Sequence, residues 1–315
     1  MNIVDQHTFQ QTIASWEVVP FRQLQGFYQA RSENYELLFL LDDSIASVAY
    51  LKTFMGCKML LLETPAKRTP NLSEKVLRHW YEALYNLPYD IIELNSSETY
   101  APIEEVALRK AGWLRPVGLF SYPLTHCIDL TQPIHYNENW NRNLRTVSDT
   151  LRFYECQDRA QGEKDMWELY QYMCRQKKLP LTPNQPFFHT LLSDSHFRLF
   201  FVEKEAQPIS MILIHTSGIH AGLFYAANNE QGYAQKAGFY IYHCLLQQLQ
   251  QEGFRSFDME KLGFGARTSN AVALFKQGIK GQTTQLLGEW ARYQHHWMRW
   301  AIYFVKRYIW HCTEV

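Results

Sequence analysis

The sequence predicts an α/β (α+β) protein in which one unit of mixed sheet and helices is written twice, followed by an amphipathic C-terminal helix. Three observations carry this. The heptapeptide Val106 to Gly112 (VALRKAG) returns as Val272 to Gly278 (VALFKQG), with five of seven residues identical. The elements around each copy follow the same order, and self-similarity at that scale marks a duplicated fold. A chain of 315 residues is also long enough for two domains that each bury a core. The expected division is 1–130 for the first unit, 131–290 for the second and 291–315 for the terminal helix.

In the first unit, Glu36 to Leu41 and Ile45 to Lys52 are apolar, β-rich runs joined by Asp-Asp-Ser, a hairpin signal. Met59 to Leu62 is a third strand. Ser73 is placed to cap a helix through Leu87, because Val76, Leu77, Trp80, Leu84 and Leu87 recur at helical spacing. A strand at Tyr89 to Leu94, a short helix at Ile103 to Ala111 and a strand at Val117 to Tyr122 complete the unit.

The second unit repeats that order. Phe197 to Val202, Ile209 to His215 and Ile219 to Ala226 are strands, and the helix Gly238 to Gln251 ends at Gly253. The strand ending in Phe257 to Glu260, the helix Asn270 to Gln277 and the strand Thr283 to Leu287 follow. A helical bridge, Asn137 to Phe153 and Glu163 to Lys177, is expected between the units, broken by Pro180, Pro183 and Pro186.

Composition narrows the chemistry by exclusion. Basic and acidic residues balance at 31 each, so any nucleic-acid contact has to be local, and Arg142, Arg145, Arg175, Lys177 and Lys178 form the one cluster that offers it. The six cysteines lie far apart, without C-x-x-C or histidines at zinc spacing, which predicts reduced thiols and no metal site. The N-terminus lacks the basic stretch and apolar core of a secretory signal, so a cytoplasmic protein is expected. The charge-free run Gln207 to Asn229 holds Pro208, two histidines and a Thr-Ser-Gly turn, and reads as a hairpin.

The second unit resembles the Fem family of peptidoglycan-bridge aminoacyltransferases and related tandem GNAT proteins of bacterial envelope pathways. The residues that carry the resemblance are GYAQKAGFYIYHCLLQQLQQEG (Gly232 to Gly253), FDME (Phe257 to Glu260) and NAVALFKQGIKG (Asn270 to Gly281). The resemblance implies two GNAT-like domains, a catalytic second unit and a degenerate first one. It implies transfer of an acyl or aminoacyl group to an amine of a small-molecule or lipid-linked envelope precursor. Acyl-CoA or aminoacyl-tRNA would be the donor, with no tightly bound cofactor. The sequence departs from the family at Met259-Glu260-Lys261-Leu262, where Phe-Gly-Gly is common after the aspartate.

Acyl transfer needs an amine held against an activated carbonyl, and a cation or amide donors for the oxyanion. Lys276 is the candidate cation, with Phe275 expected to hold its ammonium by a cation–π contact; Asp258 and Glu260, at the end of a strand, are candidates for base or orienting group. The alternative for Lys276 is a solvated helix lysine, as expected for Lys110 in the first copy. Gly232, Ala234, Lys236 and Gly238 lie where a CoA pyrophosphate would meet a helix N-terminus, and Tyr225 and Arg267 are assigned to the acceptor. His215 and His220 read as surface residues.

Residues 291–311 show apolar positions Trp297, Met298, Trp300, Ala301, Ile302, Phe304, Val305, Tyr308 and Ile309 on one broad arc, opposite Arg299, Lys306 and Arg307. This helix either packs across the body or lies on the inner face of a membrane. Two rival functions remain at this level: a non-catalytic scaffold of the same fold, and an acetyl-CoA-dependent acetyltransferase acting on a nucleotide sugar.

Overall fold

The computed structural model describes residues 1–54, 56–179, 181–263 and 269–312. In chain order it begins with β1 (Asn2–Val4), α1 (Gln6–Ile13), α2 (Gln25–Ser32), β2 (Glu36–Leu41), β3 (Ile45–Phe54), β4 (Cys57–Glu63) and β5 (Ala66–Lys67). There follow α3 (Glu74–Tyr85), β6 (Ile91–Thr99), α4 (Pro102–Lys110), β7 (Leu124–Asp129), α5 (Glu138–Arg145), β8 (Arg152–Glu155), α6 (Arg159–Lys177) and α7 (Gln185–Leu192). The chain continues with β9 (Phe197–Lys204), β10 (Gln207–Ser217), β11 (His220–Asn228), α8 (Glu230–Ala234), α9 (Ala237–Gln251) and β12 (Ser256–Lys261). It closes with α10 (Ser269–Gln277), β13 (Gln282–Tyr293) and α11 (Met298–Phe304), which runs on into a π-helical turn, Val305–Ile309.

Two compact units result: Met1–Thr125 with Lys261–Asn270 and Thr284–Val315, and His126–Glu260 with Ala271–Thr283. They are not contiguous along the chain, unlike the division expected from sequence, because β13 is long. Its residues Leu286 to Tyr293 pair antiparallel with β6 and so close the first unit's sheet, leaving only its start to the second. For the same reason the segment from residue 291 is not a free-standing element.

In the first unit, β2, β3 and β4 form an antiparallel meander. After the crossover helix α3 the chain returns parallel to β4, Met59 opposite Ile91 through Glu63 opposite Asn95. Ser73 caps α3 by accepting the Val76 N–H, and Leu77, Trp80, Tyr81 and Leu84 form its buried stripe. Trp80, Trp113 and Trp290 fill the core on that side of the sheet, while Phe9, Ile13 and Tyr28 from α1 and α2 pack on Phe39, Val48 and Tyr50 on the other. Because both faces of β3 are covered, it reads as a continuous apolar run and not as an alternation.

The second unit repeats the plan. β8, β9, β10 and β11 are antiparallel, and β12 returns parallel to β11 after α8 and α9. Ile212 and Ile214 of β10 meet Ile241, Leu245 and Leu249 of α9, while α6 packs on β10 and β11.

Three elements differ from expectation. Val117 to Tyr122 is not a strand; its place is taken by Leu124–Asp129. The helix expected over Asn137 to Phe153 stops at Arg145, since Thr146, Ser148 and Thr150 bond locally in turns, and Arg152–Glu155 joins the sheet as an edge strand beside β9. The terminal helix begins at Met298, and its expected apolar arc is divided between core and surface. Met298 and Ile302 are buried, Lys306 reaches inward to Glu93 at 2.8 Å, and Arg299 donates to the Arg115 carbonyl at 2.8 Å. A buried carboxylate and a free carbonyl attract the cations, and the large rings are left outside.

Candidate functional site

The second unit's sheet opens at one point. β11 and β12 are hydrogen-bonded in register for three pairs only, His220–Ser256, Ala221–Phe257 and Gly222–Asp258. One residue further along, β11 carries a bulge: Leu223 and Tyr225 oppose consecutive residues of β10, so Phe224 is extra. A bulge bends and over-twists its strand, which turns β11 away from its parallel neighbour. In the first unit the equivalent pair, β4 and β6, stays in register for five residues.

On the β12 side of this opening stand Asp258 and Glu260. The Asp258 carboxylate accepts the Glu260 N–H at 2.8 Å, and Glu260 takes a left-handed backbone conformation (φ 60°) that a side chain with a Cβ adopts at a cost of about 1–2 kcal/mol. The carbonyl of Glu260 accepts a hydrogen bond from Lys276 Nζ at 3.2 Å. Lys276 itself is 8% exposed. Burial pulls its ammonium down to about 8, against which Glu260 and then Asp258 pull upward. At neutral pH the group is therefore charged but gives up its proton within reach of physiological pH, which a solvated lysine does not. Cys127 of β7 sits beside the same carboxylates; burial, then Asp258 and Glu260, push its thiol up to about 12, so it is no thiolate. Nothing in the sequence pairs Cys127 with Asp258, since they meet only across the folded sheet.

The structure brings Lys276, Asp258 and Glu260 together. Phe275 is not with them. Its ring lies against Trp140 (4.8 Å between centroids), Phe239 (5.1 Å) and Tyr242 (5.5 Å), and its carbonyl accepts the Trp140 indole N–H at 2.8 Å. The Phe275 ring is thus taken up by the aromatic cluster around Trp140, while Lys276 Nζ turns to the Glu260 carbonyl. Phe275 is core, and the expected cation–π contact is corrected accordingly.

The glycines of the predicted phosphate loop do structural work. A Cβ on Gly232 would collide with the Ile209 carbonyl oxygen, and one on Gly238 would stand 3.2 Å from the Asn228 side chain. The intervening residues form the turn α8, in which Gly232 N–H donates to Asn229 Oδ1, Tyr233 N–H to the Asn229 carbonyl, Gln235 N–H to Gln231 and Lys236 N–H to Tyr233. Ala234 and Lys236 are exposed to solvent in whole or in part, and Lys236 opens α9 in a left-handed conformation without a side-chain cap. A cavity of about 370 Å³ adjoins this turn, lined among others by Tyr172, Arg175, Gln207 and Asn229.

Tyr225 follows the bulge and packs against Tyr170 (5.4 Å) and Phe188 (5.5 Å); burial pushes its hydroxyl up to about 12. Arg267 lies outside the described residues. His220 is exposed and bonds Ser256, as its surface reading requires, whereas His215 is half-buried beneath Gly222. Among the described residues no His, Cys, Asp and Glu cluster could hold a metal ion.

No protein-family model matches the sequence, and no curated protein does. Solved structures do share its fold. It is similar to FemX over 96% of this chain and 100% of that one, with a TM-score of 0.76 at 9% identity. The C-terminal domain (DUF2156) of a putative lysylphosphatidylglycerol synthetase from Agrobacterium fabrum aligns over 95% and 94% of the two chains, with a TM-score of 0.61 at 10% identity. A tandem GNAT protein from the clavulanic acid biosynthesis pathway aligns over 92% and 95%, with a TM-score of 0.53 at 9% identity. The fold is that of tandem GNAT-like, Fem-type proteins.

Proposed function

We propose that the second unit carries an acyl or aminoacyl transfer site at the opening between β11 and β12, acting on an amine of an envelope precursor. The observation that carries this reading is the buried Lys276 ammonium, brought to about 8 and fastened to a strained carbonyl where the sheet opens. The fold it shares with FemX and the clavulanate-pathway tandem GNAT protein supports the same class of reaction.

In this mechanism the acceptor amine attacks the ester or thioester carbonyl of the donor, and the charge that gathers on the carbonyl oxygen is met by the Lys276 ammonium. Asp258 or Glu260 takes the proton lost by the amine. Collapse of the tetrahedral intermediate forms the amide and expels the donor's hydroxyl or thiol, which receives a proton in turn. The N–H groups of Gly232, Tyr233, Gln235 and Lys236 donate to Asn229, Gln231 and Tyr233, so α8 itself offers a CoA pyrophosphate less of a cradle than an open loop does, and the start of α9 at Ala237 and Gly238 is what remains for one. The donor is therefore read as an aminoacyl-tRNA or an acyl-CoA, to be separated by experiment.

The test is transfer of a labelled group to amine acceptors from a mixture of aminoacyl-tRNAs and, separately, from acyl-CoA. Turnover from one of the two donors that drops at least about tenfold in Lys276→Ala is expected. Turnover that does not drop in Lys276→Ala would move the site elsewhere. Absence of transfer from both, with acceptor binding unchanged in Lys276→Ala, would make the protein a scaffold.

A further inference from the structure

The first unit ends in a helix with two unlike faces. One is fastened down: Met298 and Ile302 are buried against Met59, Ile91 and Tyr293, Lys306 pairs with Glu93, and Trp310 packs edge-on against Phe54 at 5.3 Å. The other carries Trp297, Trp300, Phe304, Tyr308 and Ile309, each between 54 and 62% exposed. The spacing of the first four, i, i+3, i+7 and i+11, keeps them on one stripe. Phe304 and Tyr308 are stacked at 5.8 Å and 22°. The fastened face holds these rings outward, so they cannot fold back into the core.

The segment that carries the stripe is itself basic, and the neighbouring carboxylate Glu93 is taken up by Lys306. From Trp290 to Thr313 the chain has no acidic residue, but it has Arg292, Arg299, Lys306, Arg307, His295, His296 and His311. Lys306 and Arg299 are used internally, while Arg307, on the helix, and His295, His296 and His311, at its two ends, are exposed. Indole and phenol rings combine an apolar body with one polar atom, and with cations beside them they suit the boundary between headgroups and acyl chains better than a dry protein groove. No helix of the described residues is long and apolar enough to cross a membrane. A helix of this length lies along such a surface instead.

We propose that the face of Trp297, Trp300, Phe304 and Tyr308 is a docking surface for an anionic lipid bilayer, lying in the headgroup plane with Arg307 against the lipid phosphates. This is independent of the transfer chemistry assigned to the second unit.

Flotation of the whole protein with vesicles of phosphatidylcholine and phosphatidylglycerol in equal parts, and with phosphatidylcholine alone, tests it. The wild type is expected to float with the anionic vesicles and more weakly with the neutral ones. The double variant Trp300→Ala/Phe304→Ala should lose about tenfold or more in partition, and Arg307→Gln should weaken only the anionic case. Circular dichroism melting checks that the variants remain folded, as substitution at exposed positions allows. A wild type that stays in solution with both vesicles overturns the proposal. So does a double variant that is folded and binds as well as the wild type. A dimer in light scattering that the double variant dissociates, without vesicle binding, would assign the face to a second copy instead.

Discussion

Replacing Lys276 by methionine separates a functional lysine from a structural one, because the two roles predict opposite signs for stability. The Lys276 ammonium is held about 2.5 units below its ordinary 10.5, which corresponds to an upper bound of about 3 kcal/mol spent on keeping the charge buried at neutral pH. Methionine fills a similar volume without charge. It leaves the Glu260 carbonyl without its lysine donor, at a cost of about 1 kcal/mol, so a net gain of about 1–2 kcal/mol is expected at pH 7. The sign against pH follows from proton counting. Between about pH 8 and 10.5 the unfolded chain binds the proton that the folded one has released, so wild-type stability rises through that window, and the advantage of Lys276→Met shrinks as it does. Urea titrations of both proteins at pH 7 and pH 10 measure this, and the transfer assay measures the loss of turnover. If Lys276→Met is less stable at pH 7, the ammonium is a strut on the Glu260 carbonyl and the reasoning fails. If it is more stable yet fully active, the site lies elsewhere.

Three further perturbations test the packing within each unit. In the first unit, Lys67 pairs with Glu98 at 2.7 Å and Glu104 at 2.8 Å, so Lys67→Met should cost about 3–5 kcal/mol in urea unfolding by stranding two buried carboxylates, and Glu98→Gln with Glu104→Gln should restore most of it. Burial, then Glu104, against the pull of Lys67, raise the Glu98 carboxyl to about 7; the folded state thus holds a proton between its ordinary 4.5 and about 7 that the unfolded chain loses. Stability from this group falls as pH rises through that range, and Glu98→Gln should flatten the slope. In the second unit, a Cβ at Gly278 would collide with Trp140 Cδ1, so Gly278→Ala should destabilise by about 1–3 kcal/mol, whereas Gly253→Ser meets only the backbone strain of its positive φ.

How far the sequence speaks is visible in the repeated heptapeptide. Ala107 and Ala273 are both buried, Val106 and Val272 both exposed, so the match does mark equivalent helices. The residues between them differ. Leu108 is fully buried while Leu274 is 66% exposed, and the Lys110 side chain is 51% exposed, paired with Glu74, while Lys276 is buried. Spacing identifies a helix, but the neighbours choose which face turns inward, and Trp140 claims Phe275 in the second unit alone. Lys276, Asp258 and Glu260 could be picked from the sequence one by one, as a helix lysine and a strand end, but their meeting is a property of the folded unit. The bulge at Phe224 was not, since one extra residue in a β-rich run leaves its composition unchanged. The terminal helix is present as expected, but Glu93, more than two hundred residues away in sequence, decided that Lys306 would point inward.

Each unit buries one lysine near carboxylates, and the two are held differently. In the first unit the Ser97 N–H donates to Thr64 Oγ1 at 2.7 Å just beyond the last β4–β6 pair, and Lys67, Glu98, Glu104 and the Tyr81 hydroxyl bond to one another there. Burial lowers the Lys67 ammonium, but Glu98 and Glu104 outweigh burial and leave it raised, so its proton is held firmly and is of no use to a reaction. In the second unit the strands separate after three pairs instead of five, and Lys276 is fastened to a carbonyl, with its carboxylates too weak to offset burial. The two lysines therefore differ in what their burial does: Lys67 is held charged by two carboxylates in the first unit, whereas burial of the Lys276 ammonium in the second is offset only in part, which is the basis for choosing Lys276 as the position to test.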